Sequence, residues 1–401
     1  MHGALLLYRL LEKYPTDRLM VIEGNIFPSN PGRRLPGVPY QTFRQGWPRL
    51  QRTQFSRIFA AGQIFSGPWK ASQVERLLGR FQPEAVLTVT YYYAWRTAAA
   101  LARRRRLPLH LVHHDECIET PLLPGWAKPW VHRIFGKVYR QAASRFCVSP
   151  QMAEYYERRY GAPGDVMYPS RGADAQVFAG PPPRLGEEQK GRGLTVAFGG
   201  TIGAPGQRRQ VTLVCDAVGT MGGTIHLFGP LEAAQCHAHG LAGAHVQLRG
   251  TLSSEAFKDC LRREADVLLV PMNMDPGDAM NARISFPSKL VDYTAVGLPL
   301  LIIGPEYCSA VQWARENDGV AEVAVGDDPA AIRAALERLQ SPARRIQLAE
   351  TALRTGEKMF SYQAAWTRFC KGLTGGKAAR GNPVAKASPT VQRAPSPLAV
   401  D

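Results

Sequence analysis

The sequence predicts an α/β protein of two doubly wound, Rossmann-like domains in series, and three observations predict it. Apolar runs of four to six residues alternate with helical stretches, as parallel strands covered on both faces require. The stretch 177–192, "VFAGPPPRLGEEQKGR", is dense in Pro, Gly and charge and reads as a linker. Beyond it the strand–helix plan of the first half repeats. With 401 residues, 45% of them hydrophobic and 20% charged, the chain has material for a core in each half.

In the first half, 1–176, "PEAVLTVTYYYAW", "LPLHLVHHDE" and "SRFCVSP" each carry the end of a strand, with helical segments such as 94–106 between them. The second, 193–342, opens on "LTVAFGGTIG", a strand running into a glycine turn. "GTIHLFGP", "AHVQLRG", "ADVLLVPM", "LPLLIIG" and "GVAEVAV" supply five further strands, with helices such as 253–263 between. Ahead of "LPLLIIG", Pro287 suits the first turn of a helix, Gly297 its left-handed stop, and Pro299 blocks any continuation. Residues 343–373 read as closing helices. The tail 374–401 has almost nothing to bury and is expected to be disordered.

No apolar run approaches the roughly 18 residues that cross a bilayer. The opening "MHGALLLYRLLEKYP" is interrupted by Arg9, Glu12 and Lys13, and no small-residue cleavage site follows, so it does not read as a secretory leader. Seven cysteines, an odd number without a C-x-x-C pair, point to a reducing cytoplasm. Charge is uneven: residues 1–175 hold 25 of the 49 Lys and Arg but only 12 of the 33 Asp and Glu. A basic first half implies an anionic partner there.

Four stretches carry candidate chemistry. The loop "FGGTIGAPGQRRQ" (198–210) joins a strand to a helix, with Gly199 and Gly200 allowing close backbone approach and Arg208 or Arg209 adding charge; glycine turns also join strand to helix in many proteins that bind no phosphate. Ser288 and Lys289 sit in the first turn of the helix after Phe286, with Asp292 one turn on, suited to a vicinal diol; the plainer reading is a Lys289–Asp292 surface pair. "LVHHDECIE" (111–119) places His113, His114 and Asp115 beyond an apolar run, where open α/β sheets bind ligands, or else is a loop with no task. "CHAHG" (236–240) has no second cluster at zinc spacing and reads as surface. Three basic segments, 47–70, 103–106 and 126–145, include two that interleave Trp with Arg and Lys, as a membrane interface or single-stranded nucleic acid would use; the plainer reading, favoured for the arginine run, is a solvated face with buried aromatic stems.

With these pieces in order, the chain resembles a family-four glycosyltransferase of the two-domain GT-B fold. The carrying residues are "LVHHDE", the segment from "RFCVSPQMAEYYERRYG" to Phe178, "VAFGGTIG", "LRGTLSSEAFKDCLRREADVLLVPM" and, most specifically, "FPSKLVDYTAVGLPLLIIG". The resemblance spans about residues 2 to 370 and implies closing helices that cross back to the first domain. It implies a nucleotide-diphospho-sugar in the interdomain cleft, with no metal or other cofactor. Asp292 would take the ribose; Ser288, Lys289, Gly199, Gly200 and Arg209 the diphosphate; Gly250 to Leu252 the base. His114 with Asp115, or His113, would stand near the sugar. Two departures go with it. The first acid of the family's E-x7-E pattern falls on Ile284, and Met1 and His2 stand where its first glycine loop normally ends, which implies a first domain without its leading strand.

The expected function is transfer of a sugar, with retention, to a lipid-linked or polysaccharide acceptor at the inner membrane face. Such a peripheral, cytoplasmic enzyme would serve surface polysaccharide or glycolipid assembly. The rivals are a nucleotide-sugar epimerase, a catalytically silent GT-B scaffold and a nucleic-acid binder, the last without a helix-turn-helix, zinc or RNA-recognition signature.

Overall fold

The computed structural model describes residues 2–375 apart from 27, 92, 117, 120–122 and 188–192. Residues 376–401 of the expected disordered tail lie outside the described residues. The chain opens with α1 (His2–Leu11), followed by β1 (Val21–Gly24) and β2 (Tyr40–Phe43), which pair in parallel as a sheet of their own. After α2 (Ser56–Leu77) come β3 (Val86–Val89), α3 (Ala94–Arg105), β4 (Leu109–His113), α4 (Lys128–Gln141), β5 (Ser144–Cys147), α5 (Pro150–Tyr160) and β6 (Asp165–Val166). These strands pair in parallel in sequence order, β3-β4-β5-β6.

The second unit begins with β7 (Thr195–Gly199), α6 (Pro205–Thr220), β8 (Thr224–Phe228), α7 (Ala233–Ala238), β9 (Val246–Gly250) and α8 (Ser254–Glu264). It continues through β10 (Val267–Pro271), α9 (Ala279–Ile284), α10 (Lys289–Tyr293), β11 (Leu300–Gly304), α11 (Ser309–Glu316), β12 (Glu322–Val325) and α12 (Pro329–Leu339). Its parallel sheet runs β12-β11-β10-β7-β8-β9. The order reverses between β7 and β10, and an open sheet of this kind binds ligands beyond the strand ends at such a switch.

The strands form where the sequence is most continuously apolar. Every residue of β4, β10 and β11 is buried, as strands covered on both faces must be. Helix ends follow local chemistry: Ser149 caps α5 by accepting from Met152 N at 3.0 Å, and Gly161 ends it at φ 73°. The helix expected from Pro287 to Gly297 is regular only over α10. Gly297 then turns the chain at φ 76°, where a Cβ would stand 2.8 Å from the carbonyl of Gly180.

That contact shows the expected linker to be packed rather than loose. Phe178 N donates to Ala295 O at 3.1 Å, the Arg262 guanidinium lies 4.0 Å from the Phe178 ring centroid, and Leu185 is buried. The closing helices are α13 (Pro342–Phe360) and α14 (Tyr362–Leu373), and α14 returns to the first sheet, setting Phe369 5.7 Å from Phe146 between centroids. One surface expectation fails: Cys236 is buried in the core of the second unit beneath α7, because its helical face, unlike that of His237, meets the apolar cluster around Leu241.

Candidate functional site

The loop after β7 meets α10 at the switch point of the second sheet. Gly199 ends β7, and its N–H donates to the Tyr293 hydroxyl at 2.8 Å. A Cβ on Gly199 would stand 2.5 Å from the Phe257 ring, so only glycine fits. Gly200 follows at φ 137°, a conformation that L side chains rarely adopt. Its own N–H is held by Phe228 O at 2.8 Å.

Lys289 lies across this turn. A Cβ on Gly200 would be 3.0 Å from the lysine Nζ, which also stands 5.0 Å from the Phe198 ring centroid. Among the described residues this amine makes no hydrogen bond and no ion pair. Burial pushes its pKa below the ordinary lysine value, since the protein strips water from the ammonium and returns no counter-charge. A cation held against a glycine turn without an anion is poised to receive one. The surface pair with Asp292 considered from the sequence does not form.

Asp292 is engaged elsewhere. Arg9 of α1 places one Nη2 2.9 Å from Oδ1 and 3.1 Å from Oδ2, and its Nη1 reaches Ser170 O at 3.2 Å. One amino group uses a fraction of the acceptor directions of a carboxylate, so Asp292 keeps capacity for a diol. Ser288 occupies the position before α10, and its side chain caps nothing. Gly250 turns at φ 66° with open space beyond, and Leu252 is exposed. Arg209 is exposed and pairs at the surface with Asp327 at 2.8 Å, while Arg208 turns to His239.

The loop after β4 approaches the second unit directly. Glu116 N donates to Asn281 Oδ1 at 3.0 Å, Asn281 Nδ2 to Asp278 Oδ1 at 2.8 Å, and Asn273 Nδ2 to Asp278 Oδ2 at 2.8 Å. The loop carrying His114 and Asp115 is thereby stitched to the segment beyond β10. His114 is buried at the loop's start, and Asp115 is partly exposed with no partner among the described residues. His113 is a correction. As the last residue of β4 it points into the core, 0% exposed, bonded to Thr90 Oγ1 at 2.9 Å and walled by Phe135, Tyr139 and Tyr156. Burial drops its pKa to about 3, so it stays neutral and out of reach of a substrate.

Sequence reasoning missed Glu116, whose carboxyl is buried and accepts from the N–H groups of Ile118 and Glu119. Burial raises its pKa to about 7, against the lowering effect of those two bonds. It also missed Arg9, Asn281 and Tyr293, whose partners lie far off in sequence. Ile284, where the first acid of the family pattern would fall, is fully buried, and its carbonyl accepts from the Ser149 hydroxyl. It borders a separate groove of about 810 Å³ between α5 and α9, which neither Lys289 nor Asp292 lines. Among the described residues no cluster of His, Cys, Asp or Glu is arranged to hold a metal ion.

Residues 27–189 match the family described as Glycosyltransferase Family 4. That match takes in most of the first unit and the start of the segment that joins it to the second. No curated protein matches it by sequence. Among solved structures, HepE of Anabaena in complex with UDP superposes at a TM-score of 0.66, with 14% identity over 94% of this chain and 96% of its own. Sucrose-phosphate synthase from Thermosynechococcus elongatus gives 0.63 and 14% over 89% and 88%. A glycosyltransferase from Rickettsia africae gives 0.57 and 11% over 88% and 97%. At these identities the likeness establishes the fold alone: the GT-B architecture of two Rossmann-like domains with C-terminal helices crossing back.

Proposed function

We propose that the protein transfers a sugar, with retention, from a nucleotide-diphospho-sugar to a lipid-linked or polysaccharide acceptor in surface polysaccharide or glycolipid assembly, working at the cytoplasmic membrane face. The observation that carries the reading is the unpaired Lys289 ammonium held against Gly200 at the sheet's switch point. In this reading the diphosphate supplies the missing counter-charge and Lys289 stabilises it as it departs, which is where such catalysis gains most. Asp292, oriented by Arg9, accepts the ribose hydroxyls. The open turn at Gly250 and the nearby Leu252 leave room for the base. In this reading His114 and Asp115, on the loop tied to Asn281, serve the acceptor side. The neighbours solved with UDP support a uridine nucleotide as the first donor to try. No metal or other cofactor is assigned a role.

A second reading, a silent GT-B scaffold that binds nucleotide without turnover, is favoured by one observation: a buried Ile284 stands where an acid would hold the donor sugar. Thermal unfolding with UDP, GDP and their sugars, on wild type and Asp292→Ala, tests the donor site. A ligand at 100 times its Kd adds about 2.7 kcal/mol. Stabilisation of the wild type that is lost in the variant is expected; no stabilisation by any nucleotide overturns both readings. Nucleotide release in the presence of polyprenyl-diphosphate-linked acceptors then separates enzyme from scaffold, and the anomeric proton coupling of the product tests retention.

A further inference from the structure

Four of the seven tryptophans stand in solvent, and all four lie in the first half of the chain: Trp47 at 62% exposure, Trp69 at 76%, Trp126 at 62% and Trp130 at 59%. Two of them begin a continuous face. Trp126 and Trp130 are followed at helical spacing by Arg133, Lys137 and Arg140, all exposed along α4. The opposite face of α4 buries Val131, Phe135, Val138 and Tyr139, so the tryptophans are surplus to the core rather than part of it. From residue 120 to 153 there is no Asp or Glu, and Arg133 and Lys137 form no ion pair among the described residues. By contrast, Arg104 and Arg105 of the arginine run pair with Glu75.

A helix with two exposed indoles at its head and unpaired cations behind them matches a bilayer interface, where indole rings settle at headgroup depth and cations meet anionic lipid. We propose that the exposed face of α4 and of the turn leading into it, Trp126, Trp130, Arg133 and Lys137, docks the protein on an anionic membrane surface. The inference rests on the proposed lipid-linked acceptor only for what the membrane delivers; the docking is independent of the donor site. The position fits such delivery. Lys128 Nζ donates to Glu119 O at 2.8 Å and His132 Nε2 lies 2.8 Å from Glu119 Oε1, so α4 is tied to the loop that carries His114 and Asp115. A bilayer seated on α4 would lie beside that loop. A second set of exposed apolar side chains, Phe55 just ahead of α2 with Ile58 and Trp69 on it, lies in a stretch from 24 to 74 that also lacks acids, and serves as the internal comparison.

The test is co-sedimentation of the full chain with vesicles of phosphatidylcholine alone and with about one-third phosphatidylglycerol. Expected are binding to the anionic vesicles only, weakening with salt, and a blue shift of tryptophan emission. Trp126→Ala/Trp130→Ala and Arg133→Glu/Lys137→Glu should each lower partitioning more than about tenfold, since one basic side chain at such a surface is worth roughly fivefold. Both variants should keep the wild-type melting temperature and the UDP-induced shift, so a failed donor site and a failed docking face are told apart. Undiminished vesicle binding in both variants, or loss only with Phe55→Ala/Trp69→Ala, overturns the assignment to α4. So does equal affinity for a single-stranded oligonucleotide, or a change of oligomeric state in the tryptophan variant without a change in vesicle binding.

Discussion

Replacing Lys289 by methionine should move two measured quantities in opposite directions. The amine lies 5.0 Å from the Phe198 ring centroid and faces the Gly200 turn with no anion among the described residues, so in the free protein it is a partly desolvated charge without return. Methionine keeps the stem and removes that cost, leaving the free protein as stable as wild type or more so by up to about 1 kcal/mol, a rise of roughly 1 °C in Tm for a chain of this length. The same change removes a charge-assisted hydrogen bond to the diphosphate, worth about 1.5–3 kcal/mol, and so weakens nucleotide binding by about 10–150-fold. At a ligand concentration 100 times the wild-type Kd, stabilisation should fall from about 2.7 to about 1.4 kcal/mol or less. The pH dependence carries an independent sign. Burial lowers the folded pKa below 10.5, so the unfolded chain binds more protons between the two values and stability rises with pH across that window. Methionine should flatten this rise. Thermal denaturation with and without UDP, at several pH values, reads all three. A variant that melts lower when free yet binds UDP as tightly as wild type would refute the reasoning, because Lys289 would then be a packing residue.

Further outcomes follow from the same geometry. Gly200→Ala sets a Cβ 2.9 Å from Lys289 Cε at φ 137°, so it should cost about 1–3 kcal/mol and weaken UDP binding, read by calorimetry. Glu116 has a folded pKa of about 7 against 4.5, so stability falls as pH rises between those values; Glu116→Gln should remove that slope and be the more stable form at pH 8, by on the order of 2 kcal/mol. The two histidines should separate cleanly in a paired stability and turnover measurement. His113→Ala should destabilise by about 2–4 kcal/mol with kcat per folded molecule intact, whereas His114→Ala, at a side chain that is also buried, should lose about 100-fold in kcat per folded molecule.

Much of the fold was written locally. Runs such as Val267–Pro271 and Leu300–Gly304 can only be buried strands, and Pro287 and Gly297 frame the helical segment between them. Lys289 was legible for the same reason, since its position follows from the helix head. What was not legible depends on partners distant in the chain. Whether His113 or His114 turns into the aromatic core turns on a single residue of register at the end of β4, and the doublet "HH" leaves that undecided. The partner of Arg209, Asp327, gave no signal because it lies far along the chain beyond β12. Arg9 gave no signal at all, as an arginine in an amphipathic helix is ordinary until Asp292 is found beside it. Cys236 was misread because a polar-looking "CHAHG" hides one apolar side chain turned inward.

Arg171, in the segment joining the two sheets, is nearly inaccessible to solvent, and its guanidinium ties three stretches of chain together. Nε donates to Val291 O at 3.0 Å, Nη2 to Thr294 Oγ1 at 3.0 Å and Nη1 to Glu357 Oε2 at 3.1 Å, while its own N–H meets Phe360 O at 2.9 Å. A Cβ on Gly356 would stand 2.4 Å from Nη2, so α13 can pass only because that residue is glycine. The connecting segment, the donor helix and the crossing helix therefore cannot come apart one at a time without leaving a buried charge unsatisfied. The two lobes should therefore unfold together, and calorimetry should record one melting transition where a two-domain chain would ordinarily give two.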